Sequence, residues 1–490
     1  MSDKLEDNTE KAEDGQKEGG DGQGINAQRG VFHPGVNPLA FNMGLHLSDL
    51  GNTERMFTQY AANVMYCHTR KMWLHWSRKV WDWNSGAWIE FLAKESVKSI
   101  YREAADSLDD DIRTDLAKHA LKSESERAIS AMVELLKSEP GIPVELSELD
   151  SDTWLLNCQN GTVNLLTGEL RPHNKDDCIT RILSVNYDSE ANCPRWMEFL
   201  DQVTGDDKDL QDYLQRAVGY SLTADTRTQV LFFLYGLGNN GKSTFLTTIR
   251  KLLGQYAVRA GTDTFLIKDK GQGGGPKEGL ANLNNKRFVT ASELEDGRAL
   301  AVSLIKDLTG GESIMADRKY EHAFEFSPTW KIWLSGNHKP VIKDTTLSIW
   351  RRVKLIPFTK TISPENVDEG LTIYLEREWP GILAWAVRGC LEWQKNGLQE
   401  PLAVTGATAI YRKDSDILAE FLEDCCVIED RASITKTDLR KAYEDWAEEN
   451  HYDKITQRTF KARLIEKGIT DYKGTAGKRF WSGIRLENAE

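Results

Sequence analysis

The stretch Gln229-Val230-Leu231-Phe232-Phe233-Leu234-Tyr235-Gly236-Leu237-Gly238-Asn239-Asn240-Gly241-Lys242-Ser243-Thr244 decides the fold. Its first half is a short, nearly continuous apolar run, the composition of a strand buried on both faces of a parallel sheet. Its second half fits G-x-x-x-x-G-K-[ST] and leads into a helical run through residue 253, so the pattern stands in the strand-loop-helix context that gives it chemical meaning. The glycines let backbone N–H groups curl around phosphates, and the helix that follows offers its positive N-terminus. Lys242 is the residue to reach the β and γ phosphates of ATP, and Ser243 presents a hydroxyl to Mg²⁺. Gly236, Leu237, Gly238, Asn239, Asn240, Gly241 and Thr244 complete the expected ATP-binding set. By itself the loop establishes nucleotide binding and nothing further.

Downstream, residues 286–293 (Lys-Arg-Phe-Val-Thr-Ala-Ser-Glu) read as a second strand ending in an acid. In P-loop enzymes such an acid organises Mg²⁺ or polarises the attacking water, which makes Glu293 the first choice for both metal and catalysis. Glu295 is read as assisting and Asp296 as a solvated turn residue. A third strand over 330–337 ends in Asn337, an amide suited to sensing the γ-phosphate. Arg351 and Arg352 precede a fourth strand, 353–356, and arginines so held can stabilise phosphoryl charge, often from a neighbouring subunit. Between the second and third strands, residues 316–324 read as a hairpin with basic and aromatic residues near its tip, suited to a DNA backbone. An ordinary surface hairpin is the competing reading.

Outside this core, residues 1–30 hold eight acidic and four basic residues with almost no large apolar side chains, the composition of a disordered tail. A tryptophan cluster (Trp73, Trp76, Trp81, Trp83, Trp88) reads as a small core rather than as base-stacking platforms, and 95–108 and 111–137 have helical period. The Asn-Gly turn within 154–165 marks a hairpin. Helices are expected over 196–220 and 371–395. Residues 417–485 follow the order helix, helix, helix, turn-rich hairpin, which fits a winged helix. Residues 454–485 carry nine basic against two acidic side chains inside a chain of net charge −13, which points to a nucleic-acid surface, with a solvated helical face as the alternative. The seven scattered cysteines suggest reduced thiols. The acidic N-terminus and the lack of an apolar span predict no membrane segment and a cytoplasmic protein.

The ordered motifs Gly-Leu-Gly-Asn-Asn-Gly-Lys-Ser-Thr at 236–244, Ala-Ser-Glu at 291–293, Leu-Thr-Gly-Gly at 308–311, Trp-Leu-Ser-Gly-Asn-His-Lys-Pro at 333–340 and Ile-Trp-Arg-Arg at 349–352 resemble superfamily 3 helicases of the phage and plasmid primase-helicase family, satellite-phage α-type and poxvirus-type proteins above all. The Leu-Leu-Asn…Asn-Gly-Thr stretch at 155–162 resembles that family's helicase-associated N-terminal domain, so the likeness spans roughly residues 50–485. It implies an α/β chain in five parts: a disordered acidic tail (1–36), a mixed α/β N-terminal helicase-associated domain (37–195), a P-loop AAA+-like motor (196–360), a helical linker (361–416) and a winged-helix-like DNA-binding domain (417–490). It further implies a homo-hexamer that hydrolyses ATP with Mg²⁺ between subunits and pulls single-stranded or forked DNA through its centre, in a bacterial host if phage- or mobile-element-encoded. On that reading Glu293 activates water, Asn337 is the sensor, Arg351 or Arg352 is the finger from the next subunit, and Lys319 contacts DNA with Arg318 and His322 beside it. Many relatives carry a primase domain. Here the first 150 residues contain Asp109-Asp110-Asp111, but these sit in a helical, charged stretch whereas a polymerase-type site needs separated carboxylates on a sheet, so primase activity is not expected and a separate primase or polymerase partner is. Two other readings use the same residues: an origin-binding initiator, and a DNA-remodelling or packaging ATPase without strand separation.

Overall fold

The structure, a computed structural model of the chain, describes residues 46–84, 86–267, 277–292, 297–316, 324–344, 346–450, 452–474 and 477–487. The tail expected over 1–36 lies outside them. The N-terminal part begins with α1 (Asp49–Tyr60), started by the Ser48 side chain accepting from the Gly51 N–H. An antiparallel sheet of β1 (Val64–Cys67), β2 (Met72–Trp76) and β3 (Trp81–Asn84) follows. Trp73 and Trp81 are buried, and Trp76, Trp83 and Trp88 are half-buried against the same cores. Then come α2 (Ala87–Asp106), α3 (Asp110–Ser123) and α4 (Glu126–Leu136). The helical run at 111–137 is divided because the Ser125 hydroxyl accepts from the Ala128 N–H and starts a new helix. Asp109 caps α3, its carboxylate accepting from the N–H groups of Asp111 and Ile112, so the acidic triplet has a structural use. β4 (Leu155–Cys158), β5 (Gly161–Asn164) and β6 (Glu169–Arg171) form a second antiparallel sheet. The turn between β4 and β5 requires glycine: Gly161 has φ +154°, and a Cβ there would stand 2.4 Å from the Arg171 carbonyl oxygen.

Helices α5 (Pro194–Thr204) and α6 (Lys208–Leu222) lead to β7 (Leu231–Tyr235), the strand before the glycine-rich loop. The chain continues through α7 (Lys242–Leu253), β8 (Ala257–Arg259), α8 (Lys277–Ala281), β9 (Phe288–Ser292), α9 (Val302–Gly310), the hairpin β10 (Ile314–Ala316) and β11 (Phe324–Phe326), β12 (Lys331–Gly336), α10 (Leu347–Trp350) and β13 (Val353–Pro357). Five of these strands form one parallel sheet in the order β13-β7-β12-β9-β8. Phe232 and Leu234 face one core, with α6 and α7, while Leu231 and Phe233 face another, with α9 and α10. Burial on both faces is why β7 is apolar at every position rather than at alternate ones. The three-residue β8 carried no sequence signal.

Two charged residues inside strand-forming runs are buried. The Arg287 guanidinium donates to the carbonyls of Leu222 (2.7 Å) and Leu155 (2.8 Å), and the Lys331 ammonium bonds the Thr223 carbonyl (2.5 Å) and lies 4.5 Å from the Tyr220 ring centre. Leu222 and Thr223 end α6, where unpaired carbonyls and the negative end of the helix dipole favour cations. These ties fix α6 and the β4–β6 sheet to the lower edge of the parallel sheet.

Beyond β13 the helices are α11 (Leu371–Arg377), α12 (Trp379–Asn396) and α13 (Leu402–Asp414). Pro380, in the first turn of α12, divides the run expected at 371–395. The last unit comprises α14 (Ile417–Cys425), β14 (Cys426–Thr435), α15 (Lys436–Glu449), α16 (Gln457–Glu466), β15 (Thr470–Lys473) and β16 (Arg479–Leu486), with an antiparallel sheet ordered β14-β16-β15 around its own core. The three helices and the hairpin match the expected order, and β14 is an addition. Among the described residues no helix is long and apolar enough to cross a membrane.

α6 and α12 cross backbone to backbone: a Cβ on Gly219 would stand 2.1 Å from the Cys390 nitrogen, and one on Gly389 2.1 Å from the Gln215 carbonyl oxygen. Gly219→Ala must push these helices apart. The expected cost is about 1–3 kcal/mol, seen as a lower thermal midpoint by calorimetry, whereas Gly406→Ala, with open space at its Cβ position, leaves the midpoint unchanged or raised.

Candidate nucleotide site

The glycine-rich loop leaves the upper end of β7 and closes on α7. Gly238 (φ +112°) and Gly241 (φ +80°) adopt backbone conformations that side chains rarely take, and Asn239 (φ +42°) is of the type that tolerates them. A Cβ on Gly236 would lie 2.1 Å from the Phe358 carbonyl oxygen, and one on Gly241 2.4 Å from Val203 Cγ1. The loop is therefore seated against the chain leaving β13. Asn240, buried, ties the two: its Nδ2 donates to the Phe358 carbonyl at 2.8 Å, and the Ile362 N–H donates to the Asn239 carbonyl at 2.7 Å.

The Lys242 ammonium is buried beneath the loop. It donates to the Gly236 carbonyl (2.6 Å), to Asn240 Oδ1 (2.8 Å) and to Asn337 Oδ1 (3.2 Å). All three are neutral oxygens, and burial pushes its pKa down from the ordinary lysine value. A cleft of about 330 Å³ opens above it, lined by residues 238–244 together with Ser292, Ser335, Gly336 and Asn337. Asn337 arrives there through the sheet order. β12 lies between β7 and β9, with Gly336 paired to Tyr235 and Ser335 to Ser292. Glu293 itself lies outside the described residues, but its neighbour Ser292 is in the cleft. Ser243 is exposed in the first turn of α7, facing the same space.

A second cavity, of about 210 Å³, shares Asn239, Gly241 and Thr244 with the first and is walled by α5 and the start of α11, with Arg195, Glu198, Gln202 and Thr372 among its polar groups. Arg195 is held by Glu198 (2.7 Å) and Asp368 (2.6 Å), contacts that raise its pKa and lower that of Asp368. No sequence pattern announced this cavity, because α5 and α11 are more than 160 residues apart.

The two arginines before β13 lie at the opposite end of the sheet from the loop, since Val353 pairs with Leu231 and Pro357 with Tyr235. Arg352 is buried and bonded to Thr309 Oγ1 (3.1 Å), the Ser348 carbonyl (2.7 Å) and Gln229 Oε1 (3.1 Å). Arg351 is exposed, and its guanidinium donates to Gln229 Oε1 at 2.8 Å. Neither reaches its own chain's cleft. Arg318, Lys319 and His322 lie outside the described residues. In the C-terminal unit, five of the nine basic side chains are engaged within the chain: Lys454 with Glu448, Lys461 with Asp471, Lys467 with Asp416, Arg485 with Glu429, and Arg463 with the Lys343 carbonyl. Arg458, Lys473, Lys478 and Arg479 are exposed.

Fold and cleft together define a P-loop-like α/β domain. Family models match the description "D5 N terminal like" over residues 53–205, a family of unknown function (DUF5906) over 234–352, and "Poxvirus D5 protein-like" over 413–470. The chain is 26% identical over 360 residues to the candidate helicase L207/L206 of Acanthamoeba polyphaga mimivirus, covering 68% of this chain and 37% of that protein. It is 26% identical over 265 residues to the candidate helicase 022R of Frog virus 3, covering 50% and 27%. It is also 25% identical over 191 residues to "Primase D5" of Fowlpox virus, covering 38% and 22%. The apo C-terminal region of NrS-1, a solved structure, aligns with 89% of this chain and 100% of its own at 11% identity, with a TM-score of 0.44. These matches support a D5-type helicase family, and the chain spans between about a fifth and two fifths of the length of these curated relatives.

Asn240→Ala leaves the buried Phe358 carbonyl without its donor and removes one Lys242 acceptor, a loss of about 1–3 kcal/mol. Urea titration of the folded chain reads it directly. Leu237→Ala, at a loop position 82% exposed, leaves the midpoint where it was.

Proposed function

We propose that the chain is an ATP-driven DNA helicase, a motor subunit that moves along single-stranded DNA and works as a ring of like subunits, six in number. The observation that carries this reading is the Lys242 ammonium: a buried cation whose three acceptors are neutral, at the floor of a cleft whose rim is backbone N–H groups and a helix N-terminus. Such a site is electrostatically complementary to a polyphosphate. The second cavity, on the Thr244 side, has the size and mixed polarity for the sugar and base. The helicase names of the relatives support DNA as the track.

Within this reading Lys242 and the N–H groups of 236–244 hold the β and γ phosphates, and Asn337 contacts the terminal one. Ser243 and Glu293 would hold Mg²⁺, which when bound neutralises charge on the bridging phosphate oxygens. Glu293 also takes the proton of the attacking water. Of the two arginines, Arg351 serves the neighbouring subunit's ATP, because it is exposed while Arg352 is consumed by internal bonds. Arg318, Lys319 and His322 contact the DNA strand. The C-terminal unit is a winged helix whose exposed Lys473, Lys478 and Arg479, on and beside the β15–β16 hairpin, touch the DNA backbone.

Lys242→Ala should abolish ATP turnover, and Glu293→Gln should bind ATP without hydrolysing it, measured by phosphate release and by nucleotide fluorescence on the same preparation. Retained hydrolysis in Glu293→Gln would mean that another acid does the chemistry. On a forked duplex the wild-type chain should separate strands with ATP. DNA-stimulated turnover without strand displacement would favour a remodelling or packaging ATPase instead.

Mixing variants tests the shared site. Lys242→Ala subunits, inactive alone, and Arg351→Ala subunits, strongly slowed alone, should regain turnover when combined, because an intact loop and an intact arginine then meet at some interfaces. No recovery at any ratio would indicate a site complete within one chain.

A further inference from the structure

Gln229 is a residue that neither motif nor family match singles out, and its side chain is used at both ends. It stands two positions before β7 with φ +50°, a left-handed backbone conformation that costs a residue with a Cβ some stability. Its Oε1 accepts from Arg351 Nη2 at 2.8 Å and from Arg352 Nη2 at 3.1 Å, and its Nε2 donates to the Gly310 carbonyl at 3.2 Å. Arg352 is in turn fastened to Thr309 and Ser348. One amide thus bridges an exposed guanidinium to a buried one and to the end of α9.

We infer that Gln229 is the positioning residue for Arg351, holding its guanidinium at the subunit edge where it meets the next subunit's ATP. The inference rests on the proposed function, since it needs a nucleotide shared between subunits. An arginine has many rotamers, and leaving it free at a surface spreads its charge over a wide arc. Bonded by one nitrogen to an amide that is itself pinned to Gly310, the exposed guanidinium loses less freedom on engaging a phosphate. Gln229 also lies about 20 Å, at ~3.3 Å per residue, from its own chain's phosphate loop. It cannot act on the nucleotide its own chain binds.

The test is ATP turnover of full-length chains with saturating single-stranded DNA. Gln229→Gly suits the left-handed backbone, so it removes the amide without a backbone penalty, and a thermal midpoint read on the same protein separates loss of the Arg352 and Gly310 bonds from loss of kcat. Gln229→Asn also tolerates the conformation but is one methylene short of Arg351. Both should lower kcat roughly tenfold to a hundredfold while ATP affinity stays at the wild-type value. The Gln229→Gly, Arg351→Ala double variant should turn over no more slowly than Arg351→Ala alone, and Gln229→Gly should be partly rescued by admixed Lys242→Ala subunits. Multiplied losses in the double variant, wild-type kcat in Gln229→Gly, or a kcat loss that Lys242→Ala subunits fail to rescue while they do rescue Arg351→Ala, would each overturn the assignment. A wild-type chain with no Lys242-dependent turnover would instead overturn the proposed function itself, so the two failures are told apart by the parent protein.

Discussion

The Lys242 ammonium closes the site, and the arrangement around it depends on where its three protons go. A buried cation without a counter-charge is expensive unless every donor is satisfied. Here the acceptors come from three separate pieces: Gly236 at the end of β7, Asn240 within the loop and Asn337 at the end of β12. The lysine can be satisfied only if β12 runs beside β7 and in register with it. The strand order β13-β7-β12-β9-β8 is thus the condition under which the loop can hold its own positive charge. Because the acceptors are neutral, the cation keeps its full attraction for an incoming anion, and its depressed pKa reflects desolvation alone.

The same economy governs the lower edge of the sheet. Arg287, Lys331 and Arg352 are buried cations, each bonded chiefly to neutral carbonyls, hydroxyls or amides. Arg287 and Lys331 satisfy the C-terminal carbonyls of α6 and so lock the N-terminal region and α6 to the parallel sheet. Arg352 locks α9 and α10 to β13. The upper edge of the sheet opens on the candidate cleft and the lower edge meets the rest of the protein, and cations serve both, with helix termini and carbonyls supplying the opposing partial charge.

The parts of this arrangement legible in the sequence are those set by local pattern. The apolar run before Gly236, the Pro357 that ends β13, and the hairpin turn at Asn160-Gly161 each fix their own geometry, and the structure has strands where they are expected. Residue 111–137 is instructive because its helical period is real while its continuity is not: the period survives across a Ser cap, so periodicity alone cannot see the break. β8 and β14 were invisible for different reasons. The first is too short to show alternation, and the second is largely exposed along its length, with an irregular register between Ile428 and Ser433. Nothing local to Lys331 and Arg287 says that the end of α6, more than 60 residues upstream, will supply their acceptors. The glycine-rich-loop half of the candidate site was therefore readable, whereas the cavity between α5 and α11 and the bonds of Gln229 depend on contacts that only the fold creates.

The charge of the C-terminal unit carries the same lesson one step further. Counted along the sequence, residues 454–485 are strongly basic. Folded, Asp416, Glu429, Glu448 and Asp471 meet four of those cations, and Arg463 is spent on the Lys343 carbonyl, in the segment that follows Asn337. Of the four other cations, all exposed, Lys473, Lys478 and Arg479 lie on or beside the β15–β16 hairpin, with Lys473 and Arg479 directly opposite each other across it. Like charges placed opposite on a hairpin repel, a cost that a polyanion laid against them would remove. The Arg463 bond, reinforced by the ion pair between Lys343 and Asp453 at 3.1 Å, meanwhile fastens this unit to the segment leaving the cleft. A basic hairpin is thereby carried on a unit anchored near the candidate cleft, and it is the distribution of charge rather than its sum that decides whether an acidic chain can offer a surface to a polyanion.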